Sequence, residues 1–221
     1  MHIPDGYLSP ETYIPAYAIS IPLFAYGLKK LKKTLNEETL PLLSGLTAFS
    51  FLIMMLNIPI PGGTSGHAIG TAVLSLIFNP WVAFISVSLV LLIQALLFGD
   101  GGITSWPINS IAMGFIASFV AYYSYKLLSK INKNLALFFA GWSSIVASSF
   151  FIAIVLGIQP YIAHDPSGKP LFFPFDLKIT VPALVFSHML YFGVAEGIFT
   201  VLVIKFLTKN KELLRLAQNE T

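Results

Sequence analysis

Met1 and His2 carry three nitrogen donors that one metal ion can bind together. The Met1 amine and the His2 backbone nitrogen close a five-membered ring around a metal, and that backbone nitrogen with imidazole Nδ1 closes a six-membered one. Both ring sizes are unstrained, so the three nitrogens take three corners of a square and leave the fourth open. An amide nitrogen ligates only after losing its proton, which Cu(II) and low-spin Ni(II) promote because square-planar nitrogen donation suits them. Binding of this kind depends strongly on pH. Co(II) adjoins these ions in the affinity series, whereas Zn(II) prefers a tetrahedron and fits worse. Taken alone, a histidine at the second position usually belongs to a frayed terminus. Here Ile3-Pro4-Asp5-Gly6-Tyr7 follows, a turn-forming run that folds the terminus back toward the protein.

A second imidazole would complete the square, and His67 is the candidate. It closes the run Pro59-Ile-Pro-Gly-Gly-Thr-Ser-Gly-His67, which is expected to end one helix and begin the next, with His67 in the first turn. The positive end of a helix dipole disfavours imidazolium, so His67 stays neutral and able to ligate. Two other uses of the run rank lower. A phosphate cradle would need a lysine that is missing, and a histidine at a membrane interface can simply bond a backbone carbonyl. Asp100, in Gly99-Asp100-Gly-Gly, either orients His2 or His67 or caps a tight turn. Ser65, Asn57, Gln94 and Asn109 are polar candidates for the same network, and His188 is a further one. His188 and Glu196 lie in one apolar segment, eight residues and so about 80° apart around a helix, and read first as a packing network. His164, in a polar loop, is expected to face solvent.

The elements that must position these groups follow from composition. Of 221 residues, 56% are hydrophobic and 10% charged, against about 25% charged in a soluble domain. This is the composition of an integral membrane protein. A helix of about 20 residues crosses the hydrocarbon core, so the chain has room for about seven spans and no soluble domain. No G-x-x-x-x-G-K-[ST] run is present, so an energy source must sit on another subunit. With no cysteine, disulfides and thiolate metal sites are excluded. The acidic, non-basic start is not that of a signal peptide, so the first residues are expected to remain.

Charge-free stretches and Gly/Pro punctuation predict helices over Thr12 to Leu28, Leu40 to Ile58, His67 to Phe78, Trp81 to Phe98, Pro107 to Leu128, Leu135 to Gly157 and Ile179 to Leu207. The third is too short to cross alone, so the segment before it is expected to fold back to membrane depth, shielded by protein. With seven spans, 11 of the 13 basic residues fall on one side, which places the N-terminus outside and the C-terminus in the cytoplasm. His2, His67, Asp100 and His164 then share the outer face. The expected fold is a single all-α membrane domain. Residues 1–11 form a metal-binding segment inserted into the bundle, 12–207 the bundle, and 208–221 a cytoplasmic tail. The basic residues read as orientation charge, with no nucleic-acid footprint.

Three motifs, Met1-His-Ile-Pro-Asp-Gly, Pro59 to His67, and Leu96-Leu-Phe-Gly-Asp-Gly-Gly-Ile-Thr104, in this order and spacing, resemble the CbiM/NikM family. Its members are substrate-binding S components of energy-coupling factor transporters for cobalt and nickel. The resemblance covers essentially the whole chain. It implies metal held by the Met1 amine, the His2 backbone and side-chain nitrogens, and His67. It also implies a transmembrane coupling (T) component and ATPase subunits as partners. Some nickel-type members carry an extra C-terminal membrane segment. This chain ends instead in a polar tail, which points to a separate small membrane subunit. Ser44 with Ala48, or Ala68 with Ala72, are small-residue pairs that a partner helix could pack against.

The expected function is therefore capture of Ni(II) or Co(II) as transported substrate, without catalysis and without an organic cofactor, in the cytoplasmic membrane of a prokaryote. One rival is an autonomous ion-coupled carrier, which needs acids within its spans, where Glu196 stands alone. Another is a membrane metalloenzyme with His67, His188 and Asp100 around a hydrolytic metal, which would need an open coordination position.

Overall fold

The structure, a computed structural model, describes residues 1–60 and 64–209. The Gly62-Gly63 pair and the tail beyond Lys209 lie outside the described residues. Helices form where apolar runs are opened by a cap and closed by a breaker. Pro10 opens α1 (Pro10–Thr34), and Asn36 and Thr39 bond each other's backbone N–H in the turn to α2 (Thr39–Met54). A two-stranded antiparallel hairpin, β1 (Ile58–Ile60) and β2 (Thr64–Gly66), leads to α3 (Thr71–Ile77). Asn79 then caps α4 (Pro80–Phe98), its side chain accepting from the N–H groups of Trp81 and Val82 at 3.0 Å each. Helix α5 (Trp106–Leu128) is followed by α6 (Lys133–Ile162), capped by Asn132, and α7 (Leu177–Lys209), capped by Asp176.

Helix α6 packs along both α5 and α7, and α4 lies against α1, α2, α3 and α5. Helices α4, α5, α6 and α7 are long and apolar enough to cross a membrane, while α2 is apolar but shorter. Large apolar side chains such as Leu97 and Leu127 stand 74% exposed on the bundle. Such exposure is lipid-facing surface, and the chain is a multi-pass membrane protein.

Several expected boundaries move. Helix α1 continues six residues past Leu28. Helix α2 ends four residues before Ile58, because Pro59 biases its neighbour toward extended backbone and the chain turns into the hairpin. The third helix begins at Thr71 rather than His67, after Gly70 at φ +69°, a left-handed conformation open to glycine. It is short and mostly buried, as a segment shielded by protein must be.

The core includes the start of the chain. The side chains of Met1 and Ile3 are fully buried and Leu8 nearly so. Three helices contain wide, π-helical turns, Gln94–Phe98, Ser110–Ile116 and His188–Phe192. Such turns often mark places where a helix bends around a site. Each adjoins residues that hold the N-terminal segment or the loop carrying His67.

Candidate metal centre

The N-terminal segment is held by backbone recognition. Asn109 accepts from the Ile3 N–H at 3.0 Å and donates to the Ile3 carbonyl at 3.1 Å, while the Ser105 hydroxyl also donates to that carbonyl. The Asp5 carboxylate accepts from the N–H groups of Ile103 (3.1 Å) and Thr104 (2.8 Å) and from the Thr104 hydroxyl. Desolvation pushes the Asp5 carboxyl up, but the Thr104 and Ile103 bonds outweigh it and hold the group below the usual carboxylate range. Ser9 donates its N–H to Gln159 at 3.0 Å.

This places Met1 and His2 beside the hairpin. The Met1 amine is buried and donates to the Ser65 carbonyl and, at 3.3 Å, to the Ser65 hydroxyl. That hydroxyl donates to Asn57 Oδ1 at 3.0 Å, and Asn57 Nδ2 donates to Asp100 Oδ2 at 2.8 Å. Asp100 Oδ1 lies 2.9 Å from His2 Nδ1. Ser65, Asn57 and Asp100 thus link the amine back to the imidazole of the next residue. Burial brings the amine down to about 4 against the opposing pull of Asp100, leaving it a free lone pair at neutral pH.

The His67 ring stacks on His2, with centroids 4.5 Å apart and planes 21° from parallel. Its Nδ1 faces the Ala68 carbonyl at 3.0 Å, so Nδ1 carries the hydrogen and Nε2 keeps its lone pair. That Nε2 is buried without a partner, the arrangement of an imidazole ready to ligate. His67 is neutral for a reason other than the expected one. It precedes α3 by a loop, so burial first, and then the nearby amine and His2, depress its proton affinity well below the usual value.

His2 is also oriented differently from the simple chelate. Burial lowers its proton affinity against the raising effect of Asp100. Its Nδ1 faces Asp100, and Nε2 is the buried nitrogen without a partner. A chelate through Nδ1 therefore requires the ring to leave Asp100.

The remaining candidates separate. The Gln94 side chain reaches Met55 Sδ at 3.7 Å and does not join the network, although its backbone carbonyl accepts from the Asp100 N–H. His188 bonds the Leu184 carbonyl at 2.7 Å through Nδ1 and leaves a buried Nε2 unpartnered. Glu196 bonds the backbone around α3 rather than His188. His164 is exposed. Ala72 is fully buried and offers no surface to a partner, whereas Ser44 and Ala48 line an open apolar groove of about 630 Å³ between α1, α2 and α4. Among the described residues no group of three or more His, Asp or Glu side chains is placed to hold a metal ion. Asp5, Thr104, Ser105 and Gln159 escaped the sequence reading. Asp5 stood there only as a turn residue.

The model of a family described as the cobalt uptake substrate-specific transmembrane region, CbiM, matches residues 2–214. The chain belongs to the CbiM family. It is 42% identical to a putative metal transport protein of Methanocaldococcus jannaschii, over 95% of this chain and 92% of that protein. It is 41% identical to a probable fused nickel transport protein of Lactiplantibacillus plantarum, over 95% of this chain and 65% of that protein, and so spans less than two thirds of it. Among solved structures, a truncated transition metal transporter matches with a TM-score of 0.92 and 44% identity over 95% of this CbiM-family chain and 99% of that one.

Proposed function

We propose that this chain is the substrate-binding subunit of a metal importer, taking up Ni(II) or Co(II) through the Met1 amine, the His2 backbone nitrogen, His2 Nδ1 and His67 Nε2. The observation that carries the reading is the buried Met1 amine, held at Ser65 beside the stacked rings of His2 and His67. In the structure the Met1 amine bonds Ser65 and His2 Nδ1 faces Asp100. Binding transfers the amine from Ser65 and Nδ1 from Asp100 to the metal. Because the terminus brings three of four donors, its docking and metal capture are coupled. Ser65, Asn57 and Asp100 orient the donors, while His188 lies outside that hydrogen-bonded ring.

The excess of basic residues on one side supports an outward-facing site and a cytoplasmic C-terminus. The chain carries no nucleotide-binding motif, so release is assigned to ATPases acting through a transmembrane coupling component, with a small accessory membrane subunit as a further partner. Release then means withdrawal of the N-terminal segment or reorientation of the bundle. Family membership, and relatives named as nickel and metal transport proteins, support the cargo.

The test is calorimetric titration of Ni(II) and Co(II) into the native protein and into a form with one glycine placed before Met1. The added residue leaves both imidazoles intact but moves the amine and breaks the five-membered ring. One tightly bound metal in the native form, lost in the extended form, is the expected result, and the tighter metal is the cargo. Equal binding by both forms would remove the amine from the ligand set.

A further inference from the structure

The proposed metal site makes no direct use of Glu196, an acid deep in α7, yet both oxygens of its carboxylate are bonded. Its side chain is fully buried in α7, and its two carboxylate oxygens accept separately from the N–H groups of Ile69 and Gly70, at 2.8 Å each. These are the last two residues before α3, where N–H groups have no partner within the helix. They also follow His67 by only two and three residues.

The base of this clamp is rigid. Helix α6 approaches α7 so closely at Gly141 that an added Cβ would lie 2.6 Å from the Glu196 carbonyl oxygen. Thr200 donates its hydroxyl to the same carbonyl at 2.8 Å. One turn away, the Phe192 ring lies flush on Gly66, where no Cβ would fit. His67 is therefore bracketed. Phe192 fixes the residue before it and Glu196 fixes the backbone after it, both from α7. Between these grips its own Nδ1 can reach the Ala68 carbonyl, which leaves the buried Nε2 as the free nitrogen.

We infer that Glu196 is a positioning residue for metal binding, fixing the Ile69–Gly70 backbone so that His67 Nε2 meets the cargo. The inference rests on the proposed ligand role of His67. Partners that orient a metal-ligating histidine typically contribute about 10–100-fold to affinity. Glu196 exerts its effect at one remove, through the backbone.

The experiment measures Ni(II) affinity and the visible d–d absorption of bound Ni(II) for the native protein, Glu196→Gln and Glu196→Asp, with the melting temperature of each metal-free form. Gln offers one acceptor and turns an NH2 group toward a backbone N–H, so Glu196→Gln should bind ten- to a hundred-fold more weakly and with an altered band. Asp keeps two acceptors on a shorter arm and should recover part of the loss. Ser148→Ala, which removes a buried hydroxyl bonded to the Ala112 and Ser144 carbonyls of α5 and α6 rather than to Ile69 or Gly70, is the stability control. It should keep native affinity and spectrum at a comparable drop in melting temperature. Native affinity and spectrum in Glu196→Gln would overturn the inference, as would an equal loss of affinity in Ser148→Ala. Failure of the native protein to bind Ni(II) or Co(II) would overturn both this inference and the proposed function, whereas tight native binding with an indifferent Glu196→Gln overturns this one alone. Should Glu196→Gln not fold, amide exchange on the native protein decides. Slow exchange at Ile69 and Gly70 supports the clamp, and exchange at open-loop rates refutes it.

Discussion

Asn109→Ala asks whether docking of the N-terminal segment and metal capture are one event. Asn109 touches no proposed ligand but holds both backbone groups of Ile3, the residue after His2. Truncation to Ala removes two hydrogen bonds of unequal consequence. The Ile3 carbonyl keeps the Ser105 hydroxyl as donor, whereas the Ile3 N–H is left buried with no partner. One such orphan costs about 1–3 kcal/mol. If docking of the metal-free segment is marginal and the segment must be docked for its three donors to hold the metal, most of that cost appears in the binding constant. At about 1.4 kcal/mol per factor of ten, Ni(II) affinity falls about 5–150-fold. Asn109→Asp keeps the acceptor for the Ile3 N–H but sets a buried carboxylate oxygen against the Ile3 carbonyl where the amide donated, so its loss should be at least as large. Calorimetric titration of the three proteins at one pH makes the comparison, with melting temperatures to show that each remains folded. A change of less than twofold in Asn109→Ala would refute the coupling of docking to capture.

Two further outcomes follow from the same geometry. Asp100→Asn weakens the bond that His2 Nδ1 must give up, so if the metal takes Nδ1 the affinity loss should stay below about tenfold; a loss of about 10–100-fold would instead make Nε2 the donor and Asp100 its orienting partner. Docking of the metal-free segment should weaken in acid. The amine has a pKa of about 4 when docked against 8.0 when free, so the undocked state binds more protons between those values and docking is lost progressively as pH falls from 8 to 4. His2 and His67, also depressed by burial, act in the same direction. Hydrogen exchange at the Ile3 N–H, corrected for its intrinsic pH dependence, should be faster at pH 5 than at pH 8. Equal or greater protection at pH 5 would contradict it.

The proposed donors and most of the groups that bond them were legible because their chemistry is carried by residue type. Met1, His2 and His67 are nitrogen donors in any context, and Ser65, Asn57 and Asp100 were polar residues stranded between apolar runs. Helix positions were legible for the same reason, since a span excludes charge. The backbone-reading contacts were not. Asp5, Ser105 and Gln159 bond main-chain N–H or carbonyl groups up to 150 residues away, and such a partner leaves no trace in the local pattern. Glu196 stood out as a buried acid, but its partners are the amides of a helix end that sequence periodicity placed four residues too early. The orientation of His2 was invisible because ring sizes say which nitrogen can chelate, and Asp100 decides where that nitrogen points.

The burial of Met1 and Ile3 has a bearing on how the protein is made. The segment that leaves the ribosome first is received by residues that leave later, at Ser65, Asp100, Ile103 to Asn109 and finally Gln159. Its contacts are among the least local in the chain, and contacts of high sequence separation form late because the intervening loop must close first. The N-terminal nine residues therefore wait, apolar and unpaired, while most of the bundle is inserted, and they are the last piece to seat. The full set of contacts that seats the segment, Gln159 included, is available only once α6 is complete.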